Sequence, residues 1–226
     1  MKVSELEKVV GGLSKPSKMP WLGYSIPATA CNIGAILQKR LESICHDCYA
    51  LKGRYTFPNV IQAMDRRLQA IETPTWVSNM VELIGRKAEK VSPDKRYFRW
   101  HDSGDIQNSK HLFDILEIAE KLPSVKFWLP TKEYGLIRLL LKSNFIMPSN
   151  ICVRVSAPDV NGFLDSKLYG TVSAVTDDVE VFNSKYHKTV SFPCHATSPT
   201  PDNDHRCGTC RACWNPDIES VTYFKH

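Results

Sequence analysis

The placement of the cysteines constrains this chain more than any other feature. Eight cysteines stand at 31, 45, 48, 152, 194, 207, 210 and 213. Cys31, Cys45 and Cys48 form an N-terminal group, C-x13-C-x2-C. Cys194, Cys207, Cys210 and Cys213 form a C-terminal group, C-x12-C-x2-C-x2-C. Cys152 stands alone in an apolar stretch, where a buried free thiol is the default. The opening MKVSELEKVV lacks the apolar core of a signal peptide. A cytoplasmic setting is therefore expected, and with it metal or redox chemistry for the cysteines rather than a disulfide framework.

Three thiols two residues apart can wrap one metal centre, and Cys194 can supply a fourth ligand. An iron–sulfur cluster and a structural zinc site are both open. The N-terminal trio lacks a fourth cysteine. A [4Fe-4S] cluster held by Cys31, Cys45 and Cys48 would keep one iron open, able to bind a ligand as a Lewis acid.

The spacing of apolar residues supplies the scaffold. Helical patterns run through 59–71, 74–90, 109–121 and 133–143, and strand patterns through 96–101, 125–130, 150–156, 171–175, 188–193 and 218–226. A short piece at 24–27 can start a first strand. Asn59, Thr73-Pro74 and Ser109 read as helix starts. Strand followed by helix, repeated, argues for an α/β fold, a partial parallel (β/α) barrel. Its expected division is a barrel over residues 1–193 and a cysteine-rich metal-binding extension over 194–226.

Chemistry in such folds gathers beyond the C-terminal ends of the strands. The strand at 96–101 ends in His101-Asp102-Ser103-Gly104-Asp105. His101, Asp102 and Asp105 form a candidate acid–base group, since a carboxylate-oriented histidine can move a proton. In the strand at 150–156, Arg154 calls for an anionic partner if it faces inward. Trp76, Trp100 and Trp128 read as core residues. The net charge of +5 permits a nucleic-acid partner without arguing for one. The segment KGRYTF at 52–57 comes nearest to a basic, aromatic stripe. No apolar run is long enough for a membrane span.

The segment Cys45-His46-Asp47-Cys48-Tyr49-Ala50, with Lys52-Gly53-Arg54-Tyr55 and the later His101-Asp102-Ser103-Gly104-Asp105, resembles an uncharacterised family of bacteriophage gene products. The resemblance extends over about residues 15–215. Its CxxCYA ending is also similar to phage proteins related to radical S-adenosylmethionine enzymes. That resemblance implies a radical-enzyme-like partial barrel. Cys31, Cys45 and Cys48 would hold the open cluster, and Cys194, Cys207, Cys210 and Cys213 an auxiliary one. Ser103 and Gly104, with Asp105, would take the place of the segment that contacts the cofactor amine. Arg154 or Ser156 would meet its carboxylate or ribose. The setting would be the host cytoplasm.

Three functions follow as expectations. The first is an iron–sulfur enzyme with an open-iron site and S-adenosylmethionine as its cofactor. The second is a non-redox Lewis-acid hydrolase or hydro-lyase with His101 moving the proton. The third is a non-enzymatic, metal-stabilised module for nucleic-acid binding or electron transfer. A small-molecule or cofactor ligand is expected in the first two. The oligomeric state is left open.

Overall fold

The structure is a computed structural model that describes residues 1–178, 180, 191–200 and 203–225. Among the described residues, seven strands form one sheet in the order β1-β2-β3-β4-β5-β7-β6. They are β1 (Gly23–Tyr24), β2 (Tyr97–Trp100), β3 (Lys126–Thr131), β4 (Ile151–Val160), β5 (Thr171–Thr176), β6 (Phe192–Pro193) and β7 (Ser220–Phe224). Every pairing is parallel. The α/β class expected from the repeated strand–helix pattern is therefore the observed one. Residues 188–190 of the strand expected at 188–193 lie outside the described residues. After β6 the chain returns, and β7 enters the sheet between β5 and β6. The stretch after residue 193 is thus part of the sheet as well as a cover for it.

The helices are α1 (Val3–Val9), α2 (Asn32–Leu37), α3 (Pro58–Ala70), α4 (Trp76–Ala88), α5 (Ser109–Lys121), α6 (Tyr134–Lys142) and α7 (Ser166–Tyr169). The first carries three charged residues in its seven. It folds because Leu6 and the following Val10 are fully buried, and α1 packs on α4. Two expected caps differ. Pro58 takes the first helical position of α3, so Asn59 lies inside the helix, and Thr75 rather than Thr73 precedes α4. The cap of α5 is Asn108, whose side chain accepts from the His111 amide at 2.8 Å.

Alternation along β2 divides the interior. Phe98 and Trp100 join Phe127, Tyr24, Trp76 and the apolar stripes of α4 and α5 in the main core. On the other face Tyr97 meets Trp128, Trp214 and Val221, with Cys194, Cys210 and Cys213 packed into that cluster. The chain at 212–219 is clamped there by Arg154, which is fully buried. Its guanidinium donates to the carbonyls of Val172, Ala212, Asn215, Ile218 and Glu219. No helix is long and apolar enough to cross a membrane among the described residues.

Candidate functional site

The C-terminal ends of β1 and β2 meet in a segment under backbone strain. His101 donates its amide to the Tyr24 carbonyl at 2.8 Å, then turns with φ 50°. Gly104 follows at φ 80°. A Cβ there would lie 2.3 Å from Ile26 Cγ1 and 2.8 Å from the Ile26 carbonyl oxygen, so only glycine fits. The Ser103 carbonyl accepts the Ile26 amide at 3.2 Å and holds this close approach.

The polar atoms around this turn are buried and unpaired. Among the described residues, both ring nitrogens of His101 lack a hydrogen-bond partner, as do Ser103 Oγ, Ser25 Oγ, Asp102 Oδ1, Trp100 Nε1 and His111 Nε2. His101, Ser103, Ser25 and His111 are all at most 4% exposed. The two imidazoles stand edge to face with centroids 5.4 Å apart. Burial pushes the His101 ring well below its ordinary titration range, with His111 adding to the effect. Burial likewise lowers His111 to about 3. Both rings are neutral at pH 7.

The two carboxylates beside them have other partners. Asp105 accepts the Ile106 amide, the Thr131 hydroxyl at 2.7 Å and the Lys132 amide at 2.8 Å. It ties the end of β2 to the end of β3. Burial raises its carboxyl above the usual range against those donors. Asp102 Oδ2 accepts the Tyr55 hydroxyl at 2.9 Å, and the Asp102 carbonyl accepts that of Tyr49 at 2.6 Å. The His101–carboxylate pair expected of an acid–base group is therefore not formed.

The remaining candidates fall elsewhere. Arg154 satisfies backbone carbonyls in place of an anionic partner. Ser156 Oγ accepts the Ser173 hydroxyl at 3.2 Å in the middle of β4. In the KGRYTF segment Lys52 pairs with Asp47 and Tyr55 turns inward to Asp102. Trp76, Trp100 and Trp128 are core residues.

The cysteines are free thiols. Cys31 precedes α2, and Gly34 in that helix lies against the Cys31 Cβ, which a Cβ on Gly34 would meet at 2.8 Å, with the Cys31 and Cys45 sulfurs beyond it. A Cβ on Gly34 would lie 3.5 and 4.0 Å from them. Burial pushes the Cys31 thiol up to about 12, with Asp105, Cys48 and Cys45 adding to it. In the C-terminal group, burial raises Cys207 to about 11 and Cys213 to about 12. Cys213 Sγ meets the Tyr223 hydroxyl at 3.2 Å.

Among the described residues, no group of three or more His, Cys, Asp or Glu side chains is arranged to hold a metal ion. This overturns the expected clusters at Cys31, Cys45 and Cys48 and at Cys194, Cys207, Cys210 and Cys213, whether iron–sulfur or zinc. The open-iron enzyme, its S-adenosylmethionine cofactor, the Lewis-acid hydrolase and the metal-stabilised nucleic-acid or electron-transfer module fall with them. Short spacing brings the thiols near one another, as the effect of Cys45 and Cys48 on Cys31 shows, but proximity alone does not arrange them as a ligand set. Here Cys194, Cys210 and Cys213 belong to the apolar cluster around Trp128 and Trp214.

Ser25 and His111 were missed in the sequence. His111 carried a signal: it shares the buried stripe of α5 with Ile115 and Ile118, one and two turns on. Tyr49 and Tyr55 carried none, because their partner Asp102 lies some fifty residues away.

Compared with known proteins, residues 4–216 match the family described as Gene product 88. No curated protein and no solved structure matches.

Proposed function

We propose that this chain, which belongs to the Gene product 88 family of bacteriophage gene products, binds a small polar molecule where β1 and β2 end. His101, Ser103 and the backbone of Gly104 contact the ligand, joined by Ser25. Asp102 and Asp105 position that segment through Tyr55 and Thr131.

One observation carries this reading. Unpaired buried polar atoms and a left-handed non-glycine residue coincide within residues 100–103. Each such atom costs about 1–3 kcal/mol, and the strain costs about 1–3 kcal/mol more. Costs of this kind collect at ligand sites, where bound groups recover them. The position agrees with the rule that parallel sheets bind ligands beyond their C-terminal ends. Neutral imidazoles and hydroxyls both donate and accept, so they suit a ligand with uncharged hydrogen-bonding groups.

The seven parallel strands support reading the sheet as a partial barrel. Residues 1–193 then serve as its body and 194–226 as a cover that also lends β7. Eight free thiols and a phage family support action in the host cytoplasm.

The test is ligand-observed NMR with nucleosides, amino acids and sugars. Saturation transfer to one class, lost in Ser103→Ala with the fold intact by circular dichroism, is the expected result. Failure of all three classes to bind overturns the reading.

A further inference from the structure

Away from that site, Cys207-Gly208-Thr209-Cys210 forms a closed turn. The Cys210 amide donates to the Cys207 carbonyl at 2.8 Å, and Gly208 takes φ 50°. A turn of this kind holds its end α-carbons within about 7 Å, and a disulfide spans about 4.4–6.8 Å between α-carbons. Both thiols are free. The backbone therefore already stands at the separation that a Cys207–Cys210 bond requires.

The turn is braced on its inner side. The Cys207 amide donates to the Lys18 carbonyl at 3.0 Å. Arg211 Nη1 donates to the carbonyls of Gly208 and Cys210, both at 2.8 Å, and the guanidinium lies 4.6 Å over the Tyr97 ring. Bracing of this kind pre-organises the two thiols for each other. The outer side is open. Gly208 and Thr209 are exposed and the two cysteines half-buried. Among the described residues, nothing lies within 4 Å of the place a Gly208 Cβ would take. Cys194 also acts on the Cys207 thiol, more strongly than Cys210 does. It belongs to a separate segment, tied to β7 through the Thr222 carbonyl at 2.8 Å, so no turn sets its distance from Cys207.

We propose that Cys207 and Cys210 are a redox-active dithiol, oxidised to an intramolecular disulfide by a small-molecule disulfide of the glutathione class. Cys210 Sγ attacks one sulfur of that molecule and releases the first glutathione thiol. Cys207 Sγ then attacks the Cys210 sulfur, forms the Cys207–Cys210 bond and releases the second. The two thiol protons end on the two released thiols, and two electrons pass from the pair to the glutathione disulfide. Burial raises Cys207 to about 11, with Cys194 adding to it, which makes it the slower attacker and leaves the first step to Cys210. A protonated Cys207 also gives the reduced form no thiolate stabilisation, which favours the disulfide.

Anaerobic equilibration with mixtures of reduced and oxidised glutathione tests the proposal, followed by alkylation with N-ethylmaleimide, trypsin and mass spectrometry. Cleavage after Arg206 and Arg211 releases a peptide, CGTCR, that carries this pair and no other cysteine. The expected result is that peptide unalkylated and lighter by two hydrogens as oxidised glutathione rises. Its equilibrium constant should be at least about tenfold higher in the native chain than in urea, where the turn no longer aligns the thiols. Cys207→Ser keeps the size of the side chain, so the variant folds. It should retain one glutathione on Cys210, because no neighbouring thiol remains to expel it. Full alkylation of the peptide at every ratio overturns the proposal. So does Cys207 joined to the peptide of Cys194 or Cys213, or an equilibrium constant no higher than in urea.

Discussion

Two buried polar nodes lie on neighbouring parts of one sheet, and they are built in opposite ways. Arg154 in β4 is fully buried and gives its guanidinium to five backbone carbonyls. At the end of β2, His101 and Ser103 are nearly as buried, and among the described residues their side chains have no hydrogen-bond partner. The first node spends its charge on holding the 212–219 segment in place. The second keeps its hydrogen-bonding capacity in reserve and adds backbone strain. A buried polar group whose donors are nearly all used within the chain, as in Arg154 where Nε alone is left over, is a structural part. One left unsaturated is available to something else.

The largest effect should come from the saturated node. Arg154→Leu strips partners from five carbonyls and should cost about 3–5 kcal/mol. Urea denaturation measures it, and loss of Trp214 fluorescence changes would follow release of the segment. A cost below about 1 kcal/mol would break the comparison, because the clamp would then carry no load.

Gly104→Ala tests the strained turn. The added Cβ meets the Ile26 backbone at a φ that side chains resist, and should cost about 2–3 kcal/mol. Thermal denaturation reports it.

The neutral imidazoles give a pH dependence. Unfolded His111 gains a proton as pH falls below about 6.5, while the folded ring, lowered to about 3, does not. The stability tied to its neutral form is present above pH 6.5 and is lost as pH falls toward 3. Between pH 6.5 and 5 that amounts to about 2 kcal/mol for this one residue. His101 acts in the same direction. Asp105, raised by burial, acts in the opposite one: its contribution is present below about 3.8 and lost as pH rises. Urea titrations at the two pH values should show the wild-type loss, and His111→Gln should flatten it.

The smallest effect sharpens the comparison most. Ser103→Ala removes a buried hydroxyl that has no partner. It should change stability by less than about 1 kcal/mol, in the stabilising direction, because no hydrogen bond is lost. Denaturation midpoints check it. A loss of 2 kcal/mol would mean the hydroxyl is already satisfied, and the two nodes would be alike.

Much of the scaffold was legible because it rests on local rules. The stripes of α3, α4 and α5 and the apolar runs of β3, β4 and β5 each repeat with their own period, so they can be read within a dozen residues. The short strands β1 and β6 and helix α1 were less visible, since each has few residues of its own and is held by neighbours. The 101–105 segment stood out from its Gly, Ser and acidic composition at a strand end. Its internal arrangement did not. Pairing His101 with a carboxylate was reasonable from adjacency, yet Asp102 goes to Tyr49 and Tyr55 and Asp105 to the end of β3.

The cysteines show the limit most clearly. Their spacing in the chain alone determined that Cys45–Cys48 and Cys207–Cys210–Cys213 would be close along the backbone. Likewise, alternating apolar periods determined an α/β chain with parallel strands. Tertiary structure decided where each sulfur points, that Arg154 meets carbonyls rather than an anion, and that His101 and His111 face each other unpaired. It also decided that β7 enters between β5 and β6. Periodicity is a property of neighbours in sequence, governed by backbone geometry. Side-chain direction and hydrogen-bond partnership depend on which distant segments arrive at the same place, and that is set only when the whole core closes.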